Sequence, residues 1–240
     1  MAALYLIPPA LTSKSEPPPL FDGTTRSSID MRYPYPMTKT IENTMRGLSQ
    51  IQIVPIDLQD RPAWYKEKVY PPNKVPSLEH NGKVTGESMD LLQYLDNNFE
   101  GPKLFPTDPA EKEAANALLK HTDTFTKNVF VALTKPDSEA AQEAGPALDY
   151  LENALGKFSD GPFLLGQLSV ADIAYGPFVE RFQVAFPALK NYDITAGRPK
   201  LLKWIQELHK IEGYAKTTVA DPEIILETYK RILAIFAKRL

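Results

Sequence analysis

The chain has 240 residues, a formal net charge of -3, 43% hydrophobic and 24% charged residues, an ordinary soluble composition with length enough for two small domains. That charge excludes a general affinity for nucleic acid or anionic membranes, and no uncharged apolar run is long enough to span a bilayer. There are no cysteines, which excludes disulfides, a protein thiolate and cysteine-based metal sites. The three histidines, His80, His121 and His209, lack metal-ligand spacing, so no metal is expected.

The short apolar piece at residues 4–7 has no basic region before it and meets Pro8 and Pro9 at once, which makes it a poor signal peptide. With Pro17-Pro18-Pro19, residues 1–19 read as a stiff, disordered N-terminal tail. A first strand is expected at residues 27–32. Met37, Ile41, Met45 and Leu48 then fall at the spacing of one helix face. Residues 50–56 alternate polar and apolar, as a strand with one buried face does. Residues 75–80 and 83–85 flank Asn81-Gly82, the favoured type I′ pair, and predict a hairpin. Residues 87–97 follow as a helix with Leu91, Leu92 and Leu95 on one side. This order predicts an α/β layer of roughly 80 residues.

Residues 101–109 carry three prolines and read as a linker. Beyond them strand signals fade. Helices are predicted over 110–133, 141–158, 169–182, 199–209 and 222–237, which together form a helical bundle over residues 110–240. Ser169-Val170-Ala171-Asp172 has the form of a capping box with Asp as its fourth residue, and Ser169 and Asp172 are read as structural.

Five stretches, together highly specific, resemble the plant lambda class of the glutathione transferases. They are residues 18–26, residues 54–66 with Asp60-Arg61-Pro62-Ala63-Trp64, residues 74–80 with Lys74-Val75-Pro76, residues 98–102, and residues 193–199. The resemblance covers about residues 18 to 229. It implies a thioredoxin-like, glutathione-binding N-terminal domain over residues 20–100 followed by an all-α C-terminal domain.

Three places carry the implied glutathione site. The resemblance implies a cis bond before Pro76, which turns the Val75 backbone N–H and C=O towards a ligand, and an extended peptide such as the cysteinyl part of glutathione pairs with such groups. Ser88, near a helix start, offers a hydroxyl with backbone N–H groups beside it, a setting for an anion; in the family the acid–serine pair Glu87-Ser88 holds the γ-glutamyl end. Arg61 stands where related proteins place a basic residue facing the glycyl carboxylate, and Arg clasps a carboxylate with two bonds. Lys74 adds positive charge just before Val75, with a solvated surface charge as the competing reading.

The sequence departs from the lambda pattern over about residues 27–46. There the class opens its first helix with a motif like Cys-Pro-Phe/Tyr-Ala-Gln-Arg, whose thiolate is stabilised at the helix N-terminus. Here the stretch reads Tyr33-Pro34-Tyr35-Pro36-Met37-Thr38, with Tyr33 at the Cys position. Thiol transfer and dehydroascorbate reduction, which need a protein thiolate, are therefore not expected. Tyr33 is the candidate catalytic residue, its hydroxyl a hydrogen-bond donor to the glutathione thiolate. Asp30 and Arg32 are costly in a central strand unless paired.

The resemblance thus implies a cytoplasmic, monomeric, glutathione-binding transferase-like protein. Its second ligand is a small aromatic metabolite such as a flavonoid, with no nucleic acid, membrane or metal partner. Two other readings stand beside it: a non-catalytic carrier of such metabolites, and a cofactor-free isomerase or cyclase using Tyr33 as general acid.

Overall fold

A computed structural model describes residues 2–6, 51–56, 61–99, 101–158, 161–215 and 222–237. The chain divides into two compact units, Met1–Gly101 and Pro102–Leu240.

The first unit holds a four-stranded sheet made of β1 (Ala2–Leu6), β2 (Ile51–Pro55), β3 (Ser77–His80) and β4 (Lys83–Gly86), in the order β2-β1-β3-β4. β1 runs parallel to β2 and antiparallel to β3, with Leu4 opposite both Ile53 and Leu78. The N-terminal reading is corrected here. Ala2–Leu6 is no disordered tail but an interior strand paired on both sides. The physical reason lies in its composition, Ala-Ala-Leu-Tyr-Leu, which has no charge, proline or glycine and is long enough for a strand. Residues 7–50 separate β1 from β2, well above the dozen or so that a parallel crossover needs. The strand expected at residues 27–32, the helix over 37–48 and Tyr33 lie outside the described residues.

The β3–β4 hairpin closes on Asn81 (φ 53°) and Gly82 (φ 75°). Both central residues have positive φ, as a type I′ turn requires, and its twist matches that of the flanking strands. Next comes α1 (Ser88–Asn98), which buries Leu91, Leu92 and Leu95. Val54, Ile56 and Tyr65 form a buried cluster, with Trp64, Val69, Tyr70 and Val75 packed on it.

The second unit contains α2 (Pro109–Thr134), α3 (Asp137–Ala154), α4 (Val170–Lys190), α5 (Pro199–Lys210), the short α6 (Glu212–Ala215) and α7 (Pro222–Ala237). Asp108 caps α2, accepting from the backbone N–H of Ala110 and Glu111 at 2.9 and 3.1 Å, and Pro109 takes the first turn where its missing N–H costs nothing. α3 starts four residues earlier than its apolar pattern, because Asp137 and Glu139 favour a first helical turn after Pro136. α4 runs on past Phe182, through Pro187, to Lys190, and Asn191 ends it in the left-handed conformation at φ 48°.

One buried carboxylate organises the start of α4. Asp172 accepts from Ser169 N (2.8 Å), Ser169 Oγ (2.8 Å), Leu164 N (2.9 Å) and Trp204 Nε1 (2.8 Å). Burial pushes its carboxyl up, and these donors oppose that shift. Glu152 of α3 caps α5 by accepting from Lys200 N (3.2 Å) and Leu201 N (2.7 Å). The core between the helices includes Phe125, Tyr175, Phe182, Phe186, Trp204 and Tyr229. Among the described residues no helix is long and apolar enough to cross a membrane.

Candidate functional site

The chain between β2 and β3 builds one wall of the site. Arg61-Pro62-Ala63-Trp64 leads into a short π-helical turn, Tyr65–Val69, which the Tyr70 N–H closes on the Tyr65 carbonyl at 2.7 Å. Pro71 and Pro72 forbid continuation of that turn, and Asn73 reverses the chain at φ 57°, a conformation Asn tolerates better than most residues. Lys74 follows, then a cis peptide bond between Val75 and Pro76, then β3. Among the described residues no hydrogen bond engages the Val75 backbone.

The hairpin brings up the other wall. Ser77 pairs with Gly86, so the residues after Gly86 run alongside those before Ser77. Glu87 is thereby set beside the Lys74–Pro76 stretch, and the Lys74 ammonium donates to Glu87 Oε1 at 2.9 Å. That bond, with the carboxylate charge, raises the Lys74 ammonium pKa. The two side chains are 66% and 61% exposed, so this pair adds little to stability. Glu87 itself adopts φ 63°, ψ 120° at the start of α1. A side-chain-bearing residue in such a region is strained by about 1–3 kcal/mol, and strain of this kind concentrates at ligand sites. Ser88 is the first residue of α1, at the positive end of the helix.

Arg61 is exposed and donates one guanidinium N–H to the Asn73 carbonyl, which leaves further donors of its fork directed elsewhere. The structure therefore gathers Arg61, Lys74, Val75, Pro76 and Glu87, with the helix start at Ser88, around one loop and one hairpin end. Tyr33 lies outside the described residues.

Sequence reasoning missed two supports. Tyr65 is fully buried, donates from its hydroxyl to the Lys74 carbonyl at 2.6 Å, and lies 2.8 Å from Ser77 Oγ. Burial pushes its phenol up to about 12. Tyr70 lies over Gly86 so closely that an added Cβ would collide with its phenol oxygen. Both relationships join residues distant in sequence, and the only local signal was the Pro71-Pro72-Asn73 turn cluster.

A small mixed sheet with a parallel pair and an antiparallel hairpin, a cis-proline loop and an acid–serine helix start, followed in the chain by an all-helical unit, defines a thioredoxin-like domain of the transferase type. Residues 35–103 match the family described as Glutathione S-transferase, N-terminal domain, and residues 111–207 match Glutathione S-transferase, C-terminal domain. The chain belongs to the glutathione S-transferase family. It is 55% identical over 225 residues to Glutathione S-transferase L3 of Arabidopsis thaliana, covering 93% of this chain and 94% of that protein. It is 54% identical over 217 residues to Protein IN2-1 homolog B of Oryza sativa subsp. japonica, covering 90% and 88%. Among solved structures, a rice protein, GST1, in complex with glutathione shares the fold with a TM-score of 0.70 at 23% identity, over 84% of this chain and 93% of that one.

Proposed function

We propose that the chain is a lambda-class protein that binds glutathione along the Lys74–Pro76 edge. In this reading the Val75 backbone pairs with the cysteinyl unit, and Glu87 and the Ser88 helix start hold the γ-glutamyl ammonium and carboxylate. Arg61 faces the glycyl carboxylate. The observation that supports it most is the Ser77–Gly86 pairing, which puts the Val75 backbone, unengaged among the described residues, beside an acid–serine helix start. Those are the donor and acceptor types that a zwitterionic γ-glutamyl peptide needs.

The sequence contains no cysteine, so a mixed disulfide between protein and glutathione cannot form. Any chemistry must use the thiol of glutathione itself. The thiol loses its proton to solvent, and the thiolate adds to an electrophilic carbon–carbon double bond of a small aromatic or phenolic acceptor such as a flavonoid. The C–S bond forms as the π bond breaks, and the neighbouring carbon takes a proton from water. Tyr33, at the position of the family Cys, donates its hydroxyl proton in a hydrogen bond to that thiolate. The protein acts as a cytoplasmic monomer.

The absent thiol also favours a second reading, a glutathione-binding carrier of aromatic metabolites without turnover. Titration calorimetry of the full chain with glutathione, followed by a conjugation assay with an aryl halide, separates the two. Binding with conjugation above the uncatalysed rate supports the transferase. Binding alone supports the carrier. No heat with glutathione sinks both.

A further inference from the structure

We infer that Tyr65 is a positioning residue for glutathione, holding the Val75 edge at a fixed place relative to the core of the first unit; this rests on the glutathione reading above. A phenol has one proton. The Lys74 carbonyl only accepts, so Tyr65 Oη–H is spent on it, at 2.6 Å. Ser77 must then be the donor in the 2.8 Å contact with Tyr65 Oη. A single buried oxygen therefore ties the backbone at Lys74 to the side chain at Ser77, one bond on each side of Val75 and Pro76.

The oxygen is itself anchored. Tyr65 is fully buried and packs with Val54 and Ile56 at the end of β2. Its N–H donates to the Pro62 carbonyl at 3.0 Å, and its carbonyl accepts from Tyr70. Because Ser77 also pairs with Gly86, the same link sets the Val75 edge relative to Glu87. A ligand that touches both needs that spacing held within a fraction of an ångström. Phenylalanine at this position keeps the ring and the packing, but leaves the Lys74 carbonyl without its donor and the Ser77 hydroxyl without its acceptor.

The test compares wild type, Tyr65→Phe, Ser77→Ala and the double variant. Glutathione affinity is measured by calorimetry. Amide exchange is followed at Asn73, whose N–H donates to the Tyr70 carbonyl at 2.8 Å beside Lys74, and at Phe99 as a control. Tyr65→Phe, which removes both bonds, is expected to bind glutathione about tenfold more weakly, Ser77→Ala, which removes one of them, less so, and the double variant no more weakly than Tyr65→Phe. Asn73 exchange accelerates while Phe99 exchange does not. Wild-type affinity retained in Tyr65→Phe, even with a lowered melting temperature, makes the phenol purely structural and overturns the inference. A wild-type chain that does not bind glutathione sinks the binding reading. Asn73 exchange then upholds Tyr65 as the residue fixing the edge if it accelerates, and overturns that role if it is unchanged.

Discussion

Trp204 Nε1 donates to Asp172 Oδ1 at 2.8 Å across 32 residues of sequence, so the start of α4 and the middle of α5 share one buried carboxylate. Asp172→Ala leaves the donors of Leu164, Ser169 and Trp204 buried without an acceptor. Losing one partner from such a network costs about 3–5 kcal/mol. Asp172→Asn keeps one acceptor oxygen and is expected to cost less. Urea denaturation midpoints of the two variants check the order, and equal midpoints contradict it.

Glu87 supplies a test that separates backbone strain from binding. Its φ of 63° and ψ of 120° suit glycine better than any side-chain-bearing residue. Glu87→Gly is expected to melt higher than Glu87→Ala, by about 1 kcal/mol or more in stability, although both lose the carboxylate. Both are expected to bind glutathione more weakly than wild type. Calorimetry and thermal melts on the same samples read the two effects apart.

Gly86→Ala puts a methyl group into the space of the Tyr70 phenol, so the ring has to swing away from its packing on the Val54–Ile56–Tyr65 cluster. Overpacking of this kind costs about 1–3 kcal/mol. In a Tyr70→Ala background the same substitution is expected to cost much less. The coupling is read from a double-mutant cycle in urea, and additive losses would show that the two residues do not compete for space.

The buried phenol of Tyr65 gives a pH dependence with a definite sign. Its folded value is about 12, against about 10 in an unfolded chain. Between those values the native state holds a proton that the unfolded state has released, so stability falls as pH rises. The contribution is complete below pH about 10 and is lost through about 12, with a ceiling on the order of a few kcal/mol. Tyr65→Phe is expected to flatten this part of the stability curve, measured as the difference from wild type in alkaline urea melts.

Leu4→Pro tests the N-terminal strand. In β1, paired on both sides, proline removes a ladder hydrogen bond and is expected to lower the melting temperature clearly. In a disordered tail it would cost nothing. Melting of the full-length variant distinguishes the two.

Much of the architecture was legible where the information is local. Asn81-Gly82 specifies its own turn, Leu91, Leu92 and Leu95 mark a helix face, and Pro199 opens a helix that buries Trp204. β1 was not legible, because five apolar residues before Pro8 and Pro9 carry no period, and only their pairing with Ile51–Pro55 and Ser77–His80 makes them a strand. The Glu87-Ser88 and Val75-Pro76 pairs stood out as residue types. The Tyr65 link did not, since a tyrosine in an aromatic-rich stretch looks like core until Ser77 and Lys74 are brought against it.

The position of β1 also sets an order of events during synthesis. Ala2–Leu6 leaves the ribosome before any of its partners exists, and must wait for Ile51–Pro55 and then for Ser77–His80. The β3–β4 hairpin, in contrast, closes over two residues as soon as it is made. The middle of the sheet is therefore translated before either of the strands that flank it. Until it is placed, β2 and β3 each present an unpaired edge, which is the form of this chain most open to capture by another strand.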